Sequence, residues 1–214
     1  MSQRTIRSEK VAATRDLILT AAERLFAEHG VYAVSNRGIS EAAGQGNNAA
    51  VGYHFGTKAD LVRAIVRKHA ADTESRRTPM VAACAGSAEL RAWVTCLVRP
   101  ATDHQASLGI PTWYARFGAQ VMTDPALRPI MVQEALEAPS LHQILHGMRR
   151  CLPDLPAEVR AEREDMGRQL MVHMLAERER ALAENTATPR SNWHDAGSGL
   201  IDAITGLWLA PITR

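Results

Sequence analysis

The strongest constraint on the fold lies between Ser35 and His69, in SNRGISEAAGQGNNAAVGYHFGTKADLVRAIVRKH, where two short helical patterns meet at a glycine and a third follows a tight break. Ile39 with Ala42 and Ala43 makes an i, i+3, i+4 apolar face, and Ser35 in front of it supplies an oxygen able to accept a free N-terminal N–H. Gly44 then ends the pattern. A residue without Cβ enters the left-handed region at no steric cost, so it suits a sharp corner between two steeply packed helices. Asn47 or Asn48 can cap the second helix, Ala49 to Phe55, whose Val51 and Phe55 lie one turn apart and face inward while Tyr53 and His54 point elsewhere. Thr57 and Asp60 form a capping-box-like start for a third helix, with Leu61, Ala64 and Ile65 on its buried stripe. Together these patterns predict a helix-turn-helix.

At Ile39, Ala42-Ala43-Gly44, Tyr53-His54-Phe55 and Lys58 the chain resembles the tetracycline-repressor (TetR) family of one-component transcription regulators, over about residues 14 to 70. The resemblance implies that the helix after Gly44 enters the major groove of double-stranded operator DNA, and that Tyr53, His54 and Lys58 grip phosphates. Asn47 and Asn48, at the entrance of that helix, are candidates for bidentate pairing with adenine, with helix capping the alternative role for one of the two. Arg37 and Gln45 complete the candidate DNA-binding surface.

The charge distribution agrees with such a head. Residues 1 to 80 hold 12 Lys and Arg against 8 Asp and Glu, whereas residues 81 to 214 hold 13 against 15. Arg4, Arg7, Lys10 and Arg15 face only Glu9, so residues 1–13 are expected to be a flexible basic arm, suited to a phosphate backbone or minor groove, or merely solubilising. From Thr14 the pattern turns helical, with Leu17, Ala21 and Leu25 on one line and Ile18, Ala22 and Phe26 beside it, until Gly30. No apolar stretch follows the basic start, as a secretory signal requires, and no run is long enough to span a membrane; a cytoplasmic location is expected. The three cysteines, Cys84, Cys96 and Cys151, are odd in number and widely spaced, which argues against a disulfide framework or a zinc site.

Past Arg77 the sequence Thr78-Pro79 and then Ala85-Gly86-Ser87 interrupts helical periodicity. The expected division is therefore a helix-turn-helix domain over 14–77 and an effector-binding and dimerisation domain over 78–214, joined by the helix from Ala59 without a flexible linker. With 46% apolar and 22% charged residues, the chain is able to bury a sizeable core. The body reads as helices only, near Glu89 to His104, Thr112 to Thr123, Ala126 to Glu137, Ser140 to Cys151, Ala157 to Glu184 and Trp193 to Leu209, with prolines at their edges. The fold class is all-α.

Chemistry in the body finds no anchor. His142 and His146 lie at i, i+4, but there is no His-Glu-x-x-His arrangement and no third ligand, so no metal is expected. The glycines form neither a P-loop nor a dinucleotide fingerprint, and no Gly-x-Ser-x-Gly elbow occurs; neither a cofactor nor catalysis is expected. Trp113, Arg116 and Phe117 cluster on one helix, with Trp93, Met122 and Met171 available from neighbours and His142 or His173 as polar orienting groups. These are candidates for contacts with a small apolar effector, although each taken singly fits core packing better.

The final helix carries Leu200, Ile201, Ile204, Leu207 and Trp208 on one line, with Gly197 permitting close approach. Together with Met166 and Leu170 it resembles the family's two-helix contribution to a dimeric four-helix bundle, so a homodimer is expected and Ile204→Glu or Leu207→Glu should yield monomers. The resulting expectation is a DNA-binding repressor released by an effector. Two other classes remain open at this point: an effector-independent architectural or partner-recruiting DNA-binding protein, and a helical enzyme or carrier with a vestigial head.

Overall fold

The computed structural model describes residues 3–212, built from ten helices with no strand among the described residues. Helix α1 (Gln3–His29) floors the head, α2 (Asn36–Ala42) and α3 (Ala50–Phe55) make the turn motif, and α4 (Lys58–Cys84) leaves the head for the body. The body comprises α5 (Leu90–Leu108), α6 (Tyr114–Thr123), α7 (Arg128–Leu136), α8 (Pro139–Cys151), α9 (Ala157–Ala183) and α10 (Trp193–Leu209). The all-α expectation holds.

Two expectations about the N-terminal part are corrected. The basic arm is not a coil in the described residues, because α1 already begins at Gln3; residues 1–2 and the side chains of Arg4 and Arg7 lie outside what is described. Of the two apolar lines on α1, Ile18, Ala22 and Phe26 are fully buried, whereas Leu17 is 55% exposed. Ala21 and Leu25 of the second line are buried and half-buried, so both lines meet the core and only Leu17, at the start of its line, turns away.

The helix break expected at Thr78-Pro79 is also absent. Pro79 lies inside α4, which continues to Cys84. Proline removes the N–H that would meet the carbonyl four residues back, and so weakens a helix without always ending it. Here Thr78 Oγ1 donates to the Glu74 carbonyl at 2.9 Å, and Val81 beyond the proline is buried, so packing holds the last turn in place.

Hydrophobic burial falls into two clusters that do not follow the expected boundary. The first joins Ile18, Phe26, Ile39, Val51, Leu61 and Ile65 of the head to Phe117 and Val121 of α6 and Ile130 of α7. Phe26 stacks on Phe117 with ring centroids 6.2 Å apart. The second gathers Val81, Trp93, Val94, Ile144, Met148, Leu200, Ile204 and Trp208 from α4, α5, α8 and α10. Helix α4 contributes to both, so head and body share core rather than merely touching.

Two glycines set the approach of the body helices. A Cβ at Gly147 would fall 2.2 Å from Cε2 of Trp93, and one at Gly197 would fall 2.8 Å from Thr102 Oγ1, so α8 and α10 both press against α5 where only glycine fits. Arg163 of α9 then closes the far end of α10, donating to the Trp208 and Ala210 carbonyls at 2.7 and 2.5 Å, where the helix dipole favours a cation. Gly147→Ala is expected to force the buried Trp93 ring from its place and to lower unfolding free energy by about 1–3 kcal/mol, the usual range for overpacking, measured by urea denaturation. An unchanged midpoint would show that the Trp93 site has room to spare.

Candidate nucleic-acid interface and body cavity

The head is assembled from local signals. Ser35 Oγ accepts from the Gly38 N–H at 3.0 Å, opening α2, and Gly44 turns the chain with φ +67° while its N–H meets the Glu41 carbonyl at 3.0 Å. At the start of α4 the capping box is complete: Asp60 N donates to Thr57 Oγ1, and Thr57 N to Asp60 Oδ2, both at 3.1 Å. These Thr57 bonds also hold the Asp60 carboxyl below its ordinary pKa. The Arg15 guanidinium lies 4.3 Å over the Phe55 ring and donates to the His54 carbonyl, so it fastens α3 to α1.

The DNA-binding candidates separate by what they already hold. Asn47 Oδ1 accepts from Ala49 N at 2.9 Å, a turn-forming bond, although the N-cap position itself is Ala49 with no side-chain cap. Asn48 is exposed next to it, and Tyr53 is 82% exposed on the outer face of α3 with the His54 ring edge-on at 5.0 Å. Arg37 is exposed but paired along α2 with Glu41 at 2.8 Å, and Gln45 Nε2 donates to the Ala43 carbonyl at 3.0 Å. Lys58 is spoken for: its ammonium donates to the Val31 and Val34 carbonyls at 3.0 and 2.6 Å, tying the loop between α1 and α2 to the first residue of α4.

In the body, α4, α5, α6, α7 and α9 line a half-open cavity of about 250 Å³. Met122 and Met171 line it, as the sequence suggests, and Tyr114, Met131 and Leu175 add apolar wall. The other effector candidates lie elsewhere. Trp93 and Phe117 are core residues, and Trp113 packs on the head cluster with Nε1 donating to Glu28 at 3.2 Å. His142 and His173 are exposed; His142 Nε2 meets the Leu136 carbonyl at 2.7 Å and His173 Nε2 meets Gln169 Oε1 at 3.2 Å. Arg116 is occupied by Glu179, which accepts from Arg116 Nε at 3.1 Å and from the N–H groups of Ala115 and Arg116 at 3.1 and 2.9 Å. That carboxylate sits at the N-terminus of α6, where the helix favours an anion, although burial raises its pKa.

Polar cavity residues that sequence reasoning missed include Arg77, His104 and Gln105, with Thr73, Glu134 and Arg168 beside them. His104 belongs to a buried chain of bonds: Glu23 Oε2 to His69 Nε2 at 2.7 Å, His69 Nδ1 to His104 Nε2 at 2.7 Å, and His104 Nδ1 to Asp72 Oδ2 at 2.5 Å. Tyr114 stacks on His69 with centroids 3.7 Å apart, and its phenol pKa is driven far up by burial. The chain links the head floor α1 to α4 and α5. Its members are spread over three helices, so no short motif announces it.

A helix-turn-helix head sharing one long helix with an all-helical body is the architecture of a DNA-binding transcription regulator. The pattern described as "Bacterial regulatory proteins, tetR family" matches residues 18–65, and "Tetracyclin repressor-like, C-terminal domain" matches residues 95–206. This chain belongs to the TetR family of transcriptional regulators. Among solved structures, the TetR-family regulator PfmR from Thermus thermophilus superposes with a TM-score of 0.51 at 17% identity, over 94% of this chain and 97% of that one. A TetR-family regulator from Mesorhizobium loti gives 0.50 at 14% identity, over 92% and 96%. At such identity the likeness is one of fold. No curated protein matches the chain significantly.

Burial holds His104 below the ordinary imidazole value of 6.5, with the Asp72 bond opposing. The unfolded chain therefore binds a proton at His104 before the folded one does. Stability from this group is fully present above pH 6.5 and is lost as pH falls through that value toward the folded pKa. The urea midpoint should drop between pH 7.5 and about 5.5, and the drop should shrink in His104→Gln; an equal drop in both proteins would assign the effect to other groups.

Proposed function

We propose that this chain is a homodimeric, sequence-specific DNA-binding repressor, acting in the cytoplasm, that leaves its operator when a small apolar molecule fills the body cavity. The observation that carries the reading is the course of α4. Its first residue, Lys58, anchors the turn motif, and its middle, at Val66, Ala70, Thr73 and Arg77, walls the cavity. An occupant that favours one placement of α4 alters the separation of the two heads in a dimer, and hence their fit to successive major grooves. No described helix is long and apolar enough to cross a membrane.

Within the head, we assign Asn48 to a base edge, and Tyr53, His54 and the remaining Lys58 donor to phosphates. Selection from a random duplex library should return a near-palindromic site. Asn48→Ala should relax one position of it at a cost of about 1–3 kcal/mol, and Tyr53→Ala should weaken all duplexes alike. Lys58→Met should lower stability as well as affinity, since two carbonyls lose a charged donor. Absence of preference for any duplex would end the DNA-reading proposal.

The dimer surface needs revision. Gly197, Leu200, Ile201, Ile204 and Trp208 are buried within one chain against α5 and α8, and Leu207 and Leu170 are half-buried beside them. Only Met166 of the expected interface residues is substantially exposed. The outward faces of α9 and α10 instead present Met166 and Met174 together with Ala203 and Gly206. This small-residue face allows a second helix pair to approach closely. Gly206→Glu and Met166→Glu should therefore yield folded monomers by sedimentation, whereas Ile204→Glu should unfold the chain by placing a carboxylate in its core. A folded monomer from Ile204→Glu, with dimers from the other two, would restore the interface expected from periodicity.

A further inference from the structure

The cavity is apolar in most of its wall yet contains one incompletely paired cation. Arg77 reaches into it from α4 with a side chain only 11% exposed. Its Nη1 meets Glu74 Oε2 at 3.5 Å, the outer limit of a hydrogen bond, and its Nε is buried with no partner. Glu74 is committed in another direction: Ser140 N donates to its Oε1 at 3.1 Å, and the Ser140 hydroxyl donates to its Oε2. A guanidinium brings five N–H donors in a planar fork, so most of the Arg77 donor set is left for something else.

The other polar groups of the wall do not supply that partner. Glu134 is neutralised by Arg63 and Arg67 at 3.3 and 2.8 Å, and Arg168 is paired with Asp165 at 2.6 Å. Both ring nitrogens of His104 are taken, by His69 and Asp72. Gln105, one position along α5 from His104, is 2% exposed and its Oε1 has no partner. Its amide oxygen and nitrogen exchange by a simple flip, so it presents either a donor or an acceptor to an occupant.

We infer that the cavity takes an apolar carboxylate: its anionic end meets the free edge of Arg77 and the Gln105 amide, and its hydrocarbon body lies among Met122, Met131 and Met171. The inference rests on the proposed function in one respect, that this cavity is the effector site. Charge and size both select the class. A buried, under-paired guanidinium rewards an anion and penalises a cation, and planar carboxylate matches its fork. An apolar cavity of about 150 Å³ holds a benzene molecule, so 250 Å³ suits a ligand of about ten heavy atoms. Flexible Met side chains fit alkyl or aryl bodies with little discrimination, which places the selectivity on the head group. Because Arg77 lies on the helix that leaves the head, the same contact that recognises the acid also bears on α4.

The test compares octanoate, 1-octanol and octylamine on the full-length protein by calorimetry, with Arg77→Gln, Arg77→Lys and Val172→Trp as variants. Octanoate is expected to bind about tenfold or more tightly than the alcohol, the amine least; hydrogen bonds to a charged group are worth that much. Arg77→Gln should bring acid and alcohol together, Arg77→Lys should keep part of the preference, and Val172→Trp should weaken both by filling the cavity. If Arg77→Gln does not fold, the wild-type comparison with Arg77→Lys decides. Equal binding of acid and alcohol, or preference for the amine, overturns the carboxylate assignment while leaving the cavity as the effector site. Failure of all three probes to bind at millimolar concentration overturns the assignment, and a Val172→Trp variant that still responds normally at its operator removes the cavity reading with it.

Discussion

Helix α4 has to satisfy two hydrophobic cores and a turn motif at once. Leu61, Val62, Ile65 and Val66 fill the head cluster, Val81 enters the body cluster, and Lys58 at the first turn holds the carbonyls that follow α1. A helix held at both ends transmits displacement as a rigid element, because its backbone hydrogen bonds and close-packed side chains resist bending more than they resist tilting. Pro79 is the one weak point in its ladder, and it lies beyond the cavity wall formed by Val66 to Arg77. The segment between cavity and head is therefore the uninterrupted part.

The buried chain Glu23–His69–His104–Asp72 stands beside this segment and restricts how it moves. Three hydrogen bonds in series need three protons, whereas two neutral imidazoles bring two. With both rings neutral and both carboxylates ionised, one of the three contacts therefore lacks its proton. Such a network gains little net stability over apolar packing, since Glu23, His69 and His104 give up water, but a half-broken one is expensive. It thus favours discrete arrangements of α1, α4 and α5 over a continuum. A cavity contact that displaces α4 has to displace this chain as a unit, and the stacked Tyr114 ring, part of the cavity wall, is where the two meet.

What is legible in the sequence is local. Ser35, Gly44 and the Thr57–Asp60 box are each specified by bonds spanning three or four residues, and the structure shows all of them. The cavity is not legible in the same way. Trp93, Trp113 and Phe117 stand out by residue type, but large aromatics are also what fills a core first, and here they do so. Arg77, His104 and Gln105 do not stand out because, read along the chain, each is an ordinary polar residue on a helix. Only the packing of α4 against α5 turns them inward. Arg116 shows the converse: an arginine beside aromatics looks available to a ligand, and its partner Glu179 lies 63 residues away.

Helix α10 shows why periodicity alone does not locate an interface between copies. The spacing of Leu200, Ile201, Ile204 and Trp208 reports that one face is buried, and says nothing about whether its partner belongs to the same chain. In the structure that face packs on α5, with Gly197 reducing the separation. What remains outward is the part of the helix that hydropathy ignores, Ala203 and Gly206, alongside the exposed methionines of α9. Small residues contribute little area individually, but they let two helices approach until backbone and Met side chains make the contact. The bulky line therefore holds α10 to its own chain, and the unremarkable one leaves the room that the proposed dimer needs.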